Sequence, residues 1–395
     1  MTRPLNAIVV ATLLFLASVL SSAQTQSGAA GRPLAGLTPV EFEEFRLGLD
    51  DFLEVESAEE GLGPAFNGTS CAACHNVPAI GGGGVMAELR AGRRNADGEF
   101  ETFDSTGETL FHLFSVPSHG CQPMLPADAT VFARRVPIPL FGAGLVEAIP
   151  DETIRSLEDP NDRNGDGVSG RAALVTDIAT GERRVGRFGW KSQHATLLTF
   201  GADAYRNEMG ITNDLFPDEV ALGIDPEQLK LCAPPRKGVE DVRDRRTQLR
   251  GIDQFENFMR LLAPPERGTI NSSVLGGETI FASVGCQRCH TALLTTAPSK
   301  NPVFDRKPVR LYSDLLLHDV GTGDGIEQDA AASDEIRTPA LWGLRFRRPL
   351  LHDGSSPTID DAITKHGGEA TSIVTRYRDL SPADQALLLA FLKSL

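Results

Sequence analysis

The sequence predicts a mainly α-helical protein of two similar units, with a long loop-rich insertion in the first. Glycine (39) and proline (25) are plentiful among the 395 residues and aromatic residues make up 6%, which is typical of helices joined by irregular loops and not of a sheet-rich sandwich. A hydrophobic content of 41% indicates a globular chain. The motif Cys-x-x-Cys-His occurs twice, at 71–75 and 286–290, each time after a predicted helix.

Residues 1–23 have the features of a secretory signal. Arg3 is followed by an apolar run from Ile8 to Leu20 and by the small residues Ser21-Ser22-Ala23, so cleavage is expected after Ala23. A membrane anchor is the alternative, although the run is short for a span. Because no later stretch is long and apolar enough to cross a bilayer, we expect a periplasmic protein that is not integral to the membrane once the signal is removed.

The formal net charge of −15 argues against nucleic acid as a ligand, because a protein that binds phosphates needs a basic surface. An acidic surface can steer a cationic partner, such as a small basic electron-transfer protein. It can equally serve solubility alone, and both interpretations stay open.

The first unit is predicted to span residues 36–265. Thr38-Pro39-Val40-Glu41 has the features of a helix start, with an N-cap, a proline at the first helical position and a capping-box glutamate. Apolar residues follow at helical spacing: Phe42, Phe45, Leu49 and Phe52. A later helix carries Ile252, Phe255, Phe258, Met259 and Leu262 and ends at Ala263-Pro264-Pro265. Residues 90–250 between these helices are expected to be rich in loops.

The second unit is predicted to span residues 270–395. A helix with Gly277, Ile280 and Phe281 leads into Cys286, and a helix capped by Thr358 reaches His366 and stops at glycines. Ser381 caps a closing helix with the apolar residues Leu387, Leu388, Phe391 and Leu392. A cytochrome c domain begins with a Cys-x-x-Cys-His motif and ends with an amphipathic helix. Two cytochrome c-like domains are therefore expected.

Cys-x-x-Cys-His is the sequence to which haem c is attached, because two thioethers hold the haem vinyl groups and the next histidine lies under the iron. A zinc site would need both cysteine pairs to meet and would leave both histidines unexplained, and a redox dithiol needs no histidine after each pair. We therefore predict two covalently bound haem c groups, one on Cys71, Cys74 and His75 and one on Cys286, Cys289 and His290.

The second axial position separates an electron carrier from an enzyme, since only an iron with an open or weakly held face binds peroxide or oxygen. The candidates are His112, His119, His194, His318, His352, His366, Met86, Met124, Met209 and Met259. The two remaining cysteines, Cys121 and Cys232, are either bridged or unbridged, because the sequence does not supply their separation.

Several segments resemble a known family. Residues 312–314, 318–321, 337–344, 351–355 and 358–363 resemble the C-terminal domain of bacterial di-haem cytochrome c peroxidases and MauG-like enzymes. Residues 66–71, 140–150, 186–191 and 208–212 are similar to one branch, the di-haem oxidoreductase, putative peroxidase family, which is also labelled thiol oxidoreductase-like. The likeness covers nearly the whole chain after the predicted signal.

The resemblance implies iron ligands for the C-terminal haem. The related peroxidases carry a methionine where this chain has His366, so His290 and His366 are the expected ligands, and a second histidine should lower the reduction potential. The alternative is that His366 only caps its helix. His352 is expected to bond a haem propionate or a backbone carbonyl instead of iron.

The distal face of the N-terminal haem is either occupied by His194 or open to substrate. The candidate catalytic residues are Glu208, as a general acid–base for peroxide cleavage, and Trp190, as an electron relay between the haems. An ordinary surface glutamate and an ordinary core tryptophan are the competing interpretations.

Asp162, Asn164 and Asp166 place oxygen ligands at alternate positions before Gly167, as in the first half of a calcium loop. The glutamate that would complete such a loop is absent, because position 173 is Ala. The related peroxidases hold calcium between their haem domains, so a calcium site and an Asx-rich turn both stay open.

The functional hypothesis is a periplasmic di-haem oxidoreductase of the peroxidase type, in which electrons pass from the C-terminal haem to a reactive N-terminal haem. Its expected partners are a small redox protein, as electron donor or acceptor, and peroxide or another small oxidant. The alternatives are a non-enzymatic di-haem electron carrier and a redox-dependent partner-binding protein in metal uptake.

Overall fold

The computed structural model describes residues 30–103, 107–232 and 242–395, so the predicted signal sequence lies outside the described residues. Helix is the main regular structure, at 31% against 13% strand. The helices are α1 (Pro39–Leu53), α2 (Cys71–Cys74), α3 (Ala143–Glu147), α4 (Asp151–Arg155), α5 (Leu197–Met209), α6 (Pro226–Cys232), α7 (Gly251–Leu261), α8 (Ser272–Val284), α9 (Ile359–Lys365), α10 (Thr371–Arg378) and α11 (Pro382–Leu392).

The strands are short, and all their pairings are antiparallel. They are β1 (Ala65–Phe66), β2 (Glu88–Arg94), β3 (Phe100–Glu101), β4 (Leu110–Phe111), β5 (Phe114–Ser115), β6 (Val131–Arg135), β7 (Leu174–Thr176), β8 (Arg183–Val185), β9 (Leu294–Thr295), β10 (Pro308–Val309), β11 (Leu317–His318) and β12 (Ile336–Arg337).

The first predicted helix packs against the helix that ends the first unit. Thr38 caps α1 through a capping box with Glu41, as predicted. Phe45 and Phe52 of α1 both stack on Phe258 of α7, with ring centroids 5.4 and 4.7 Å apart. The predicted apolar face is wrong at its first position, because Phe42 is 52% exposed.

The second unit repeats this arrangement with α8 and α11. Ser381 caps α11 through the Asp384 amide, as predicted, and Phe281 of α8 packs on Phe391 of α11 with centroids 5.2 Å apart. In each unit the helix before the Cys-x-x-Cys-His motif therefore crosses the helix that closes the unit. The predicted helix start at Thr358 is also confirmed, and His366 is the C-cap of α9.

A four-stranded antiparallel sheet occupies the region that the sequence left as loops. Strand β2 lies at its centre, with β6 on one side and β3 and β4 on the other. This sheet was not predicted, because β2 has the sequence Glu-Leu-Arg-Ala-Gly-Arg-Arg and buries the Arg90 side chain where an amphipathic strand would bury an apolar one.

The hydrophobic core does not divide at the predicted domain boundary. Its largest cluster includes Phe258 and Leu261 from the first predicted unit and Leu311 and Trp342 from the second, while a smaller cluster is built from residues 274–395. The domain limits stay a prediction. Among the described residues, no helix combines the length and the apolar character that a bilayer span requires.

Cys121 and Cys232 are joined in a disulfide with their Cα atoms 5.7 Å apart. This bond attaches the C-terminal residue of α6 to the segment after β5, and it settles the pairing that the sequence left open. Ala65, Ala221, Ile224 and Leu229 pack around it.

Candidate functional site

The second Cys-x-x-Cys-His motif lies at one end of an internal cavity. Cys286–Arg288 forms a single 3-10 turn directly after α8, which places Cys286, Cys289 and His290 on the cavity wall, and His366 at the end of α9 contributes to the same wall. The cavity has an empty volume of about 1210 Å³, part of it open to solvent. Its remaining lining is mostly apolar: Phe281, Ile336, Leu341, Leu344, Leu350, Leu351, Ile359, Ile363, Ile373 and Val374.

The ring nitrogens of the three predicted iron ligands have the same environment. Nδ1 of His75 lies 2.9 Å from Gly82 O, Nδ1 of His290 lies 3.0 Å from Tyr312 O, and Nδ1 of His366 lies 2.7 Å from Ala362 O. A carbonyl oxygen only accepts, so Nδ1 carries the proton in each ring and Nε2 keeps its lone pair. A metal-bound histidine is oriented in this way.

Burial keeps these three imidazoles neutral. It lowers the pKa of His75 and of His366, and burial together with the neighbouring His366 lowers the pKa of His290 to about 4. A neutral imidazole can donate its lone pair to a metal, whereas an imidazolium cannot. His290 and His366 line the same cavity.

Thiols in both motifs have raised pKa values, whereas the thiols of reactive dithiols have lowered ones. Burial raises the pKa of Cys74 to about 11 and that of Cys286 to about 12. Reactive cysteines have lowered pKa values that make them thiolates near neutral pH. The environment of these two thiols therefore argues against dithiol redox chemistry.

The first motif is held by the glycine-rich loop that follows it. A Cβ on Gly82 would lie 2.1 Å from Val77 O, and one on Gly84 would lie 2.1 Å from Cys74 O, so only glycine allows this loop to fold back on the motif. The loop also supplies the Gly82 carbonyl that holds His75. Phe52 of α1 packs with its edge towards the same imidazole, with centroids 6.3 Å apart.

Glu208, a candidate catalytic residue, lies in the last turn of α5 close to Cys74, whose thiol pKa it helps to raise. Its carboxyl group is hydrogen-bonded to that of Glu88 on β2, and Asn67 Nδ2 donates to it at 3.3 Å. Burial and the charge of Glu88 raise the pKa of Glu208 well above its usual range. Glu88 is half-buried, and Arg90, which donates to it at 2.6 Å, lowers its pKa. Glu208 is therefore the protonated member of the pair.

Glu88 was missed by the sequence analysis. It lies in a strand without a recognisable pattern, 120 positions before its partner in the chain. No pattern in the sequence pointed to Glu88. The structure does bring together two of the family-like segments, 66–71 and 208–212. The amides of Asn67 and Gly68 donate to Glu208 O at 2.7 and 3.3 Å.

Trp190, the other candidate catalytic residue, is 6% exposed and lies on the wall of the C-terminal cavity. Its indole Nε1 donates to Val136 O at 2.9 Å, and its edge faces His352 with centroids 6.1 Å apart. The residue after Val136 is Pro137, which packs on Gly83 and Gly84 of the loop that holds His75. Trp190 therefore lies between the cavity and the first motif.

The other candidate ligands lie in different surroundings. His194 has Nε2 bonded to Asp203 Oδ2 at 3.0 Å, and it lines a polar cleft that includes none of the residues of the first motif. His318 has both ring nitrogens engaged, with Asp314 at 2.9 Å and Glu369 at 3.0 Å. His352 is buried on the wall of the C-terminal cavity.

The aspartate-rich loop binds its own backbone. Asn164 Oδ1 accepts from the Asp166 amide at 2.9 Å and Asp166 Oδ1 accepts from the Val168 amide at 3.0 Å, which are Asx-turn bonds, and Arg288 of the second motif donates to Asp166 O at 2.6 Å. The described residues whose ligand atoms converge as at a metal site are instead Cys289, Asp314 and His318. The calcium site stays a prediction.

A chain of buried charges runs between the two motif regions. Arg135 lies opposite Glu88 in the β2–β6 pair and donates to Asp324 Oδ2 at 2.7 Å, and Lys191 Nζ lies 3.2 Å from Asp324 Oδ1. The side chains of Arg135, Asp324 and Lys191 are at most 2% exposed. All three act electrostatically on His352 at the C-terminal cavity.

The residues therefore fit haem c at the second motif: an apolar cavity, two cysteines on its wall and two neutral imidazoles with available Nε2 atoms. At the first motif one imidazole of the same kind is present, and two half-buried carboxyl groups act on Cys74. The second motif therefore offers two strong ligands for one iron. The first motif offers one such ligand, with acid–base groups nearby.

A family model described as "Di-haem oxidoreductase, putative peroxidase" matches residues 109–395, which is more than half of the chain but excludes the first motif. A cytochrome-c peroxidase of Denitromonas iodatirespirans is 28% identical over 142 residues, which cover 30% of this chain and 38% of that protein. Cytochrome c551 peroxidase of Nitrosomonas europaea is 22% identical over 130 residues, covering 33% and 36%. The chain thus spans less than two-fifths of these relatives.

Solved structures are more distant. The diheme peroxidase BthA from Burkholderia thailandensis E264 is 14% identical with a TM-score of 0.42, covering 93% of this chain and 87% of that one. Hydrazine synthase of Kuenenia stuttgartiensis is 15% identical with a TM-score of 0.43, covering 100% of both chains. These scores are too low to support a conclusion.

Proposed function

Because the chain belongs to the di-haem oxidoreductase, putative peroxidase family, we propose that it is a periplasmic di-haem c-type oxidoreductase of the peroxidase type, passing electrons from the C-terminal haem to a reactive N-terminal haem. The family implies two haem groups. Their covalent attachment, the iron ligands, the location and the reaction are parts of the proposal. The observation that carries it is the contrast between the two motif regions: His290 and His366 line one cavity at the second motif, and Glu208 and Glu88 act on Cys74 at the first.

Three histidines are proposed to bind iron, each through Nε2. His290 and His366 would fill both axial positions at the second motif, which suits an electron-transfer role. His75 would hold the iron at the first motif. Bound haem would supply the one-electron steps and the iron face at which peroxide is reduced.

Glu208 and Glu88 are proposed to donate and accept the protons that the reaction requires. Reduction of hydrogen peroxide to two waters consumes two electrons and two protons, so a proton donor is needed beside the reacting oxygen atoms. Glu208 holds a proton because burial and Glu88 raise its pKa, and Arg90 keeps Glu88 ionised and able to take a proton up again. The pair can thus give and recover a proton beside the first motif.

Trp190 is proposed to assist electron transfer, since it lies between the C-terminal cavity and the loop that holds His75.

The electron donor is proposed to be a small redox protein, for which the net charge of −15 favours a basic partner surface.

The decisive measurement is the electronic and EPR spectrum of the purified holoprotein, oxidised and half-reduced, with and without peroxide. A high-spin ferric signal that changes on adding peroxide is expected, since one iron should have an accessible face. Two low-spin signals that do not change with peroxide in either redox state would instead favour the hypothesis of a non-enzymatic electron carrier.

The His75→Gly variant tests which motif reacts. It should lose peroxide turnover and the high-spin signal while the low-spin spectrum of the C-terminal haem persists. Unchanged turnover would contradict the assignment of the first motif as the reactive site.

A further inference from the structure

Two arginines lie in the cavity of the second motif without an anionic partner of their own. Arg337 ends strand β12, Arg347 follows the 3-10 turn at Leu344–Phe346, and both line the wall that also carries His290 and His366. Arg337 donates to Gly189 O at 2.9 Å and to Thr338 O at 3.1 Å, and Arg347 donates to Ala340 O at 3.4 Å. These carbonyl groups accept hydrogen bonds but do not neutralise the charges.

The carboxylate that acts on Arg337 is that of Asp314, and it is hydrogen-bonded to other groups. Asp314 binds His318 Nε2 at 2.9 Å and accepts from the Leu316 amide at 3.0 Å. In the described part of the chain, neither arginine forms an ion pair with an acidic side chain. Burial lowers the pKa of Arg347 to about 10, and burial with the neighbouring Arg347 lowers that of Arg337 to about 10.

A buried cation that lacks an anionic partner is costly, so proteins normally pair it. Two guanidinium groups that repel each other and line the same cavity create a place for two negative groups. Guanidinium binds carboxylates through forked hydrogen bonds, which makes a dicarboxylate the matching ligand class.

We propose that Arg337 and Arg347 bind the two propionate groups of the haem attached at Cys286 and Cys289. This inference rests on the proposed haem attachment and adds the residues that orient the macrocycle. The propionates would supply the missing negative charges, and the two arginines would hold them in place. The cation charges also favour the reduced state of that haem.

The test uses the holoprotein with Arg347→Met, Arg347→Lys and, as a matched control, Arg348→Met. Arg348 is the next residue in the chain, but its side chain is exposed and does not line the cavity. The readouts are haem content per chain, the propionate bending bands in a resonance Raman difference spectrum against wild type, and the midpoint potential of the C-terminal haem.

Arg347→Met should shift the propionate bands and lower the potential of the C-terminal haem alone, and the control should do neither. Arg347→Lys keeps the charge but loses the fork, so it should shift the bands while the potential stays near the wild-type value. If the methionine variant does not mature, the lysine variant carries the test. Unchanged propionate bands in haem-loaded variants would overturn the proposal.

A free anion from solution is the alternative ligand that could neutralise the two arginines. Titration of wild-type holoprotein with inorganic phosphate should leave the potential and the propionate bands unchanged. A potential that follows the phosphate concentration would mean that the arginines take a free anion, and the proposal would then be wrong. A wild-type protein with haem at the first motif only would instead refute the proposed function.

Discussion

Six of the eight histidines of this chain have a hydrogen-bonded ring nitrogen, and they differ in which of the two nitrogens is bonded. His75, His290 and His366 give Nδ1 to a backbone carbonyl, so Nε2 can reach a metal. His194 and His318 instead have Nε2 bonded to Asp203 and Asp314. Ring orientation therefore favours the same three iron ligands as the attachment motifs and the family resemblance do.

The His366→Met variant should raise the reduction potential of the C-terminal haem, because a thioether is a weaker donor to ferric iron than an imidazole. Spectroelectrochemistry measures this, and haem content should not change. His194→Gln is the matched control, since His194 is bonded to Asp203 away from both motifs. An unaltered potential in His366→Met would mean that His366 only ends its helix.

The Glu208→Gln variant should lose peroxide turnover by about 10²- to 10⁴-fold, because the amide imitates the protonated acid in shape but cannot donate its proton in the reaction. The rate of peroxide-dependent oxidation of a reduced dye checks this. Glu219→Gln is the control, since burial also raises the pKa of Glu219 well above its usual range but Glu219 is not in the pair.

The same pair predicts a pH dependence. Burial and Glu88 raise the pKa of Glu208, so Glu208 remains protonated below the raised value and loses its proton as pH rises through it. Wild-type turnover should fall on that alkaline side, and Glu208→Gln should lack this step. A wild-type profile without an alkaline loss would argue against Glu208 as the donor.

At the scale of elements, each attachment motif follows a helix that crosses the closing helix of its unit at a glycine. A Cβ on Gly48 of α1 would lie 2.3 Å from Gln254 O of α7, and a Cβ on Gly277 of α8 would lie 2.0 Å from Leu387 O of α11. The close approach brings Phe52 and Phe281 against the histidines of the two motifs. The two crossings support the idea of two cytochrome c-like units.

The Gly277→Ala variant should lose about 1–3 kcal/mol of stability, because the added methyl group forces α8 and α11 apart. The neighbouring Gly276→Ala is the matched control: its Cβ would lie 3.6 Å from the nearest atom, so the helix should gain about 0.5–1 kcal/mol. Thermal unfolding of both holoproteins, followed by circular dichroism, measures the difference. Equal melting temperatures would show that the crossing tolerates the methyl group.

At the scale of the whole molecule, buried ion pairs connect segments that are far apart in the chain. Asp324 joins Arg135 of the unpredicted sheet to Lys191, which follows Trp190. The chain of charges lies between the glutamate pair and the C-terminal cavity. It therefore holds the region that contains Trp190 in place.

The Asp324→Asn variant should cost about 3–5 kcal/mol, because it leaves two buried cations without their carboxylate. The surface variant Asp214→Asn removes a half-exposed partner of Arg250 and should cost at most about 1 kcal/mol. Denaturant unfolding compares them. Similar costs for both would mean that water or another group compensates the buried site.

The sequence by itself determined the features that depend on neighbours along the chain. The two attachment motifs, the N-caps at Thr38, Thr358 and Ser381, and the apolar face of α7 all follow from local spacing. Such features need only a few consecutive residues, since capping and helical periodicity are local interactions. His366 also belongs here, because its position at a helix end followed from the cap and the terminating glycines.

Only the tertiary structure decided which distant polar groups meet. Glu88 with Glu208, Asp324 with Arg135 and Lys191, and Cys121 with Cys232 are separated by 111 to 189 positions, and no periodicity links them. The central sheet was missed for the same reason, since its strands bury charges that only partners elsewhere in the chain compensate. The cost of leaving such charges unpaired is what brings those partners together, and it becomes visible only when the chain has folded.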